Sequence, residues 1–176
     1  DPRRPLLVLG CVRPGEARSL ARAWLQLPQA IRSLWQVVAV PRHPRATAEL
    51  RTEAANVGVG PSDGIREGWR WDDRTGVLVD WYRAADVAFV GGSLAPYGGH
   101  NPLEPAACGA AVVMGKHHAS QRDAVESLER LQAIWIVDDV AALVGAWNAL
   151  LGASAVRTTR AEAALAVARG QRGSAK

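Results

Sequence analysis

Four consecutive residues, Asn101-Pro102-Leu103-Glu104, carry the most chemically suggestive pattern in the chain. Asn101 reads as a helix N-cap, Pro102 as the first helical residue and Glu104 as the third. Asn-x-x-Glu is a variant of the capping box. Two jobs stay open for Glu104: closing that cap, or accepting hydrogen bonds from a ribose diol. Just upstream, Val87 to Val90 is a short apolar strand bounded by Gly91-Gly92, and Gly98-Gly99 makes a second flexible turn. A strand, a glycine turn and a helix N-terminus together form an anion site, because amide N–H groups and the helix dipole point at the loop. Nucleotide phosphate needs such a site; a well-capped helix in an α/β domain shows the same pattern.

Other residues add to this list. Arg42 follows Pro41 at a strand end, where a guanidinium forks onto a phosphate or simply faces solvent. Thr75-Gly76-Val77 opens a helix whose amides suit phosphate or base edges. His100, between Gly99 and Asn101, either donates to a phosphate or packs the turn. Lys116 and His117 follow another strand end. Nothing reads as a nucleophile: Ser93 lacks the G-x-S-x-G elbow, and Cys108 falls inside a helix. No carboxylate dyad is visible, and the neighbouring histidines have no carboxylate or cysteine partner to complete a metal site.

The elements that must position these residues alternate. Strands are expected at Leu6–Val12, Trp35–Val40, Val87–Val90, Ala111–Met114 and Ile134–Val137, with a weak edge strand near Ile65–Trp71. Helices are expected at Gly15–Leu27, Thr47–Asn56, Gly76–Ala85, Pro102–Cys108, Ser120–Gln132, Val140–Leu151 and Thr158–Arg169, followed by a frayed tail from Gly170 to Lys176. Val77 to Val79 reads equally as a strand. Strands alternating with helices imply a Rossmann-like parallel sheet with helices on both faces. Such a sheet binds ligands at the carboxyl ends of its strands, where Pro41, the Gly91-Gly92 turn and Gly115 all fall.

At 176 residues, with 48% hydrophobic content, the chain has the size and composition of one folded domain. The formal charge of +4 suits an anionic partner without choosing one. No apolar run approaches the length of a membrane span, and no signal peptide is visible. Cys11 and Cys108 are read as reduced packing residues. The chain starts at Asp1 rather than Met, which suggests a cut-out piece.

The run GGSLAPYGGHNPLEPAA, residues 91–107, resembles the signature of the 3-deoxy-D-manno-octulosonic acid (Kdo) transferases. Val40-Pro41-Arg42-His43-Pro44 resembles that family's V-P-R-H-P element. Asp73 to Leu78 resembles its D-x-x-G-E-L element, and Arg13-Pro14-Gly15-Glu16 its H-P-G-E turn. The likeness spans roughly residues 5–150 and is strongest over 81–115.

The resemblance implies the C-terminal half of a GT-B type glycosyltransferase. On this reading residues 1–176 are a single domain binding CMP-Kdo, and an N-terminal acceptor domain lies outside the sequence. Pro41, Arg42, Thr75, Gly76, Val77, Asn101, Pro102, Leu103 and Glu104 are implied as CMP contacts. Ser93, Gly99, His100, Lys116 and His117 are further candidate donor contacts. No catalytic residue is expected in the chain, since the general base is a glutamate of the other domain; Glu16 is not that base. No cofactor, metal or nucleic-acid partner is implied. The implied acceptor is a lipid A precursor, at the cytoplasmic face of the bacterial inner membrane. The sequence departs from the pattern at Val77, where the family has glutamate. It departs again at Cys11-Val12-Arg13, in place of Ser-Thr-His, and at Ser120-Gln121, in place of Asn-Phe. These departures keep two other readings open: a different nucleotide-sugar transferase or epimerase, and a non-catalytic domain binding anionic lipid or a partner protein.

Overall fold

A computed structural model describes residues 4–62 and 68–174. Six strands form one parallel sheet in the order β3-β2-β1-β4-β5-β6. They are β1 (Leu6–Val12), β2 (Gln36–Pro41), β3 (Trp69–Trp71), β4 (Val87–Val90), β5 (Ala111–Gly115) and β6 (Ile134–Val137). The helices are α1 (Glu16–Leu25), α2 (Gln29–Leu34), α3 (Thr47–Val57), α4 (Leu78–Ala84), α5 (Leu103–Ala107), α6 (Arg122–Arg130), α7 (Val140–Gly152) and α8 (Ser154–Ser174). The strand order is that of the doubly wound dinucleotide-binding sheets, and it reverses direction between β1 and β4.

Parallel strands buried on both faces read as continuous apolar runs rather than alternating ones. Here Leu7, Leu9, Val87, Phe89 and Val113 face one layer, with Leu20 and Trp24 of α1, Leu50 of α3 and Trp147 of α7. The intervening Val90, Val112 and Met114 face Ala106 of α5, Leu128 of α6 and Ala164 of α8, and Val8 and Ala88 face Tyr82 of α4. The expected helices on both faces are therefore present.

All seven tryptophans have structural roles. Trp24 meets Trp147 edge-on in the core at 6.5 Å, and Trp69 tilts against Trp71 at 6.2 Å. Trp35, Trp81 and Trp135 each lie beneath a guanidinium, that of Arg157, Arg70 and Arg160 respectively. Three arginines thus cover indoles, a cation–π arrangement.

Several expectations shift. The edge strand is shorter than expected, and residues 65–67 lie outside the described residues. Pro28 does stop the first helix, but Gln29–Leu34 then forms α2, which the periodicity did not predict. Val77 to Val79 belongs to a helical entry, not a strand: Val77 is the N-cap of α4. The tail expected to fray instead continues α8 to Ser174. That helix turns back over the sheet, where Ala164, Val167 and Ala168 complete the core beside α5 and α6.

Candidate functional site

The carboxyl ends of β1, β2, β4 and β5 form one rim. β1 ends in a bulge: Leu9 pairs with Ala39 and Val12 with Pro41, so one extra residue sits on β1. Cys11 takes the strain, at φ 55°. The N–H of Arg42 donates to Val12 O at 3.0 Å, which brings the β1 and β2 ends side by side. Gly91 lies beneath the bulge, where a Cβ would meet Cys11 O at 2.1 Å. Burial, with Glu104 nearby, pushes the Cys11 thiol up to about 12, so it is a packed neutral group.

The glycine turn after β4 corrects the first expectation. Its amides are not free for a ligand. The Glu16 carboxylate, fully buried, accepts from the N–H groups of Gly92 (2.8 Å), Ser93 (3.0 Å), Leu94 (2.9 Å) and Arg13 (2.9 Å). Burial raises the Glu16 carboxyl above its ordinary value, opposed by these four amides. The protein has therefore built an anion nest and filled it with its own side chain. The start of α1 is treated similarly, since Glu53 accepts from the N–H groups of Gly15 and Arg18.

Ser93, expected as a candidate donor contact, turns inward. Its hydroxyl donates to Val90 O at 2.6 Å and accepts from Gly115 N at 2.8 Å, tying the β4 and β5 ends together. With its side chain fully buried, it supports the rim rather than facing a ligand. Gly99 is also packed, at φ 83°, with Met114 Cε and His117 O where a Cβ would project.

The start of α5 is displaced by one residue from expectation. Leu103 is its first residue and Pro102 its N-cap. The Asn101 carboxamide still caps, accepting from Leu103 N–H at 2.9 Å. No reciprocal bond from Glu104 to Asn101 closes the box, and among the described residues nothing hydrogen-bonds the exposed Glu104 carboxylate. Because Leu103 N–H is spent on Asn101 and Pro105 has none, this short helix offers few amides to an anion. Positive charge at the rim comes instead from side chains.

Those side chains converge. Burial holds the His100 imidazole below its ordinary pKa, helped by the charges of Arg42, Arg13 and His43. Desolvation lowers His43 in the same way, with Arg45, Arg42 and Arg13 adding to it. Arg42 and Lys116 are exposed, and Pro41, at the end of β2, is buried. His117 is half-buried, with its N–H on Ser93 O. The rim therefore brings Arg42, His100 and Glu104 together, as the sequence suggested, and adds Arg13, which reads from sequence only as part of a turn. Its charge type was the one available signal.

Thr75-Gly76-Val77 lies at the β2–β3 side of the rim and enters α4, with Gly76 at φ 81°. Asp72 braces that entry, accepting Arg74 Nη2 and Trp81 Nε1, both at 2.8 Å. The Arg74 guanidinium holds the Asp72 carboxyl well below the usual carboxylate range. A separate open groove of about 470 Å³ runs between α5, α6 and α8, lined by Asn101, Leu103, Ser120, Gln121, Arg122 and Ser127. It touches the rim only at the α5 start, away from Arg42. The rim differs from the groove in gathering Arg13, Arg42 and His100 at the ends of adjacent strands.

The parallel 3-2-1-4-5-6 sheet with helices on both faces is shared with the C-terminal domains of GT-B glycosyltransferases. The structure superposes on the C-terminal CMP-Kdo binding domain of WaaA from Acinetobacter baumannii with a TM-score of 0.82 and 26% identity, covering 93% of this chain and 89% of that one. WaaG, a glycosyltransferase involved in lipopolysaccharide biosynthesis, shares the fold at a TM-score of 0.66 and 18% identity, over 95% of this chain and 43% of WaaG.

By sequence the chain belongs with the 3-deoxy-D-manno-octulosonic acid transferases and corresponds to their C-terminal domain. It is 37% identical over 130 residues to the transferase of Chlamydophila psittaci, covering 70% of this chain and 29% of that protein. Identity to the Haemophilus influenzae transferase is 31% over 174 residues, or 88% and 38% of the two chains. The chain thus spans about a third of the length of these curated relatives. No protein-family model matches it.

Proposed function

We propose that this chain is the donor-binding domain of a Kdo transferase, holding CMP-Kdo while a second domain presents the acceptor. The observation that carries this is the presence, on one rim, of an exposed carboxylate at Glu104 that has no hydrogen-bond partner among the described residues, and a guanidinium at Arg42. Glu104 accepts hydrogen bonds from the ribose diol. Arg42, following Pro41, neutralises the phosphate. Backbone groups of Thr75, Gly76 and Val77 meet the base, and Val77 supplies no carboxylate there. Asn101, Pro102 and Leu103 hold Glu104 in place. Lys116, Gly99, His100 and His117 border the sugar.

The proposed reaction is the one the family resemblance implies. A hydroxyl of the lipid A precursor attacks the anomeric carbon of Kdo, and CMP leaves. A carboxylate of the acceptor domain takes the hydroxyl proton. Arg42 offsets the phosphate charge that grows as CMP departs. Such an acceptor places the whole protein at the inner face of the bacterial inner membrane, where a basic surface is held against anionic lipid. Among the described residues no single helix is long and apolar enough to cross a membrane.

The test is titration calorimetry of the chain with CMP, UMP and AMP, repeated with Glu104→Ala. Selective CMP binding that weakens about tenfold or more in the variant supports the reading. A folded chain that binds UMP or AMP as well as CMP overturns it. The chain alone is expected to transfer no sugar, because a substrate cleft lies between two domains.

A further inference from the structure

Arg13 stands at the switch point of the sheet, at the end of β1 beside the end of β4, where doubly wound folds take their ligands. The acidic groups of the adjoining helices, Glu16 and Glu53, are committed elsewhere, and Glu104 on the same rim makes no hydrogen bond to it among the described residues. Glu16, three residues away, spends its carboxylate on four backbone amides, one of them the N–H of Arg13 itself. Glu53 is spent on Gly15 and Arg18. Among the described residues, nothing accepts a hydrogen bond from the Arg13 guanidinium, and its Nε is buried without a partner.

The guanidinium is nevertheless held in place. It lies 4.0 Å from the centroid of the Tyr97 ring. Tyr97 in turn donates its hydroxyl to Pro14 O at 3.0 Å, which clamps the ring to the turn that carries Arg13. Stacking fixes the plane of the fork while leaving its donors unsatisfied. The neighbours are also cationic or cation-sensitive: Arg13 and Arg42 act together on His100 and on His43. The imidazole Nε2 of His100 is a second buried nitrogen without a partner, packed against Gly92. The guanidinium donors of Arg13 therefore remain available to an anion.

We propose that Arg13 is a donor-binding residue whose guanidinium, held on Tyr97, takes an oxyanion of the nucleotide sugar at the β1–β4 switch point. The inference rests on the donor reading above and extends it to a residue where this chain departs from the family's pattern. A CMP-linked ulosonic acid offers two such oxyanions, the phosphate and the carboxylate on the anomeric carbon.

Two probes separate them: CMP, which carries only the phosphate, and CMP-N-acetylneuraminate, a stable CMP sugar carrying both. Each is titrated into the wild-type chain, Arg13→Gln and Arg13→Lys, with thermal melts confirming that the variants fold. Arg13→Gln is expected to weaken binding ten- to hundredfold, as for loss of a charge-assisted hydrogen bond. Weakening of both probes assigns the contact to the phosphate. Weakening of CMP-N-acetylneuraminate alone assigns it to the carboxylate. Arg13→Lys keeps the charge without the fork and is expected to fall between. If both variants bind both probes as tightly as wild type, the inference is overturned and the donor reading stands. If the wild-type chain binds neither probe, both fall together.

Discussion

The carboxylate of Glu16 accepts the backbone N–H of Gly92 at 2.8 Å across 76 residues of sequence. The bond ties the start of α1 to the loop after β4 and fills a nest shaped for an anion. Glu16→Gln retains the size but replaces one acceptor oxygen with an NH₂ facing amide donors. Stability is expected to fall by about 2–4 kcal/mol, since buried donors lose their acceptor. Urea unfolding followed by tryptophan fluorescence measures it. A loss below about 0.5 kcal/mol, the usual range for a surface substitution, would contradict the structural role assigned here.

Gly91→Ala tests the bulge. Its Cβ would fall 2.1 Å from Cys11 O, a backbone atom that cannot swing aside. Either β1 or β4 must shift, and the rim shifts with it. A destabilisation of about 3 kcal/mol or more is expected, at the upper end of overpacking costs. Gly109→Ala is the useful contrast, because nothing lies within 4 Å of its added Cβ. It is expected to cost only the strain of φ 88°, about 1 kcal/mol.

Acid should weaken the entry to α4. The Asp72 carboxyl is held well below the usual carboxylate range, first by the Arg74 side chain and then, against the cost of burial, by the Trp81 indole. A carboxyl lowered in the folded state adds stability above its unfolded pKa of about 4 and loses it as pH falls towards the folded value. Urea midpoints should therefore drop below about pH 4, and Asp72→Asn should be less stable at pH 7 with a shallower acid limb. Identical acid limbs in the two proteins would rule out this linkage.

Much of the frame was legible in the sequence. Val87 to Val90 and Ala111 to Met114 are continuous apolar runs, and a parallel strand covered on both faces asks for nothing more. Gly109 after Cys108 announced the end of α5 and takes the left-handed conformation, φ 88°. Less legible were α2, a six-residue turn with no buried residue to mark a period, and the length of α8, whose apolar face is narrow and whose inner residues are mostly alanine.

The sequence by itself determined the alternation of strand and helix, and with it the parallel sheet. It also placed Arg42 at a strand end and Asn101 to Glu104 at a helix start, because periodicity and capping are local properties of the chain. Only the tertiary structure decided which polar groups are spent and which are free. Glu16, Ser93 and the Gly92 amide satisfy one another inside the protein, while among the described residues the Glu104 carboxylate and the Arg13 guanidinium have no hydrogen-bond partner. Residue type cannot distinguish these cases. A carboxylate or an amide N–H has the same chemistry in either role, and its partner is chosen by folding contacts many residues away.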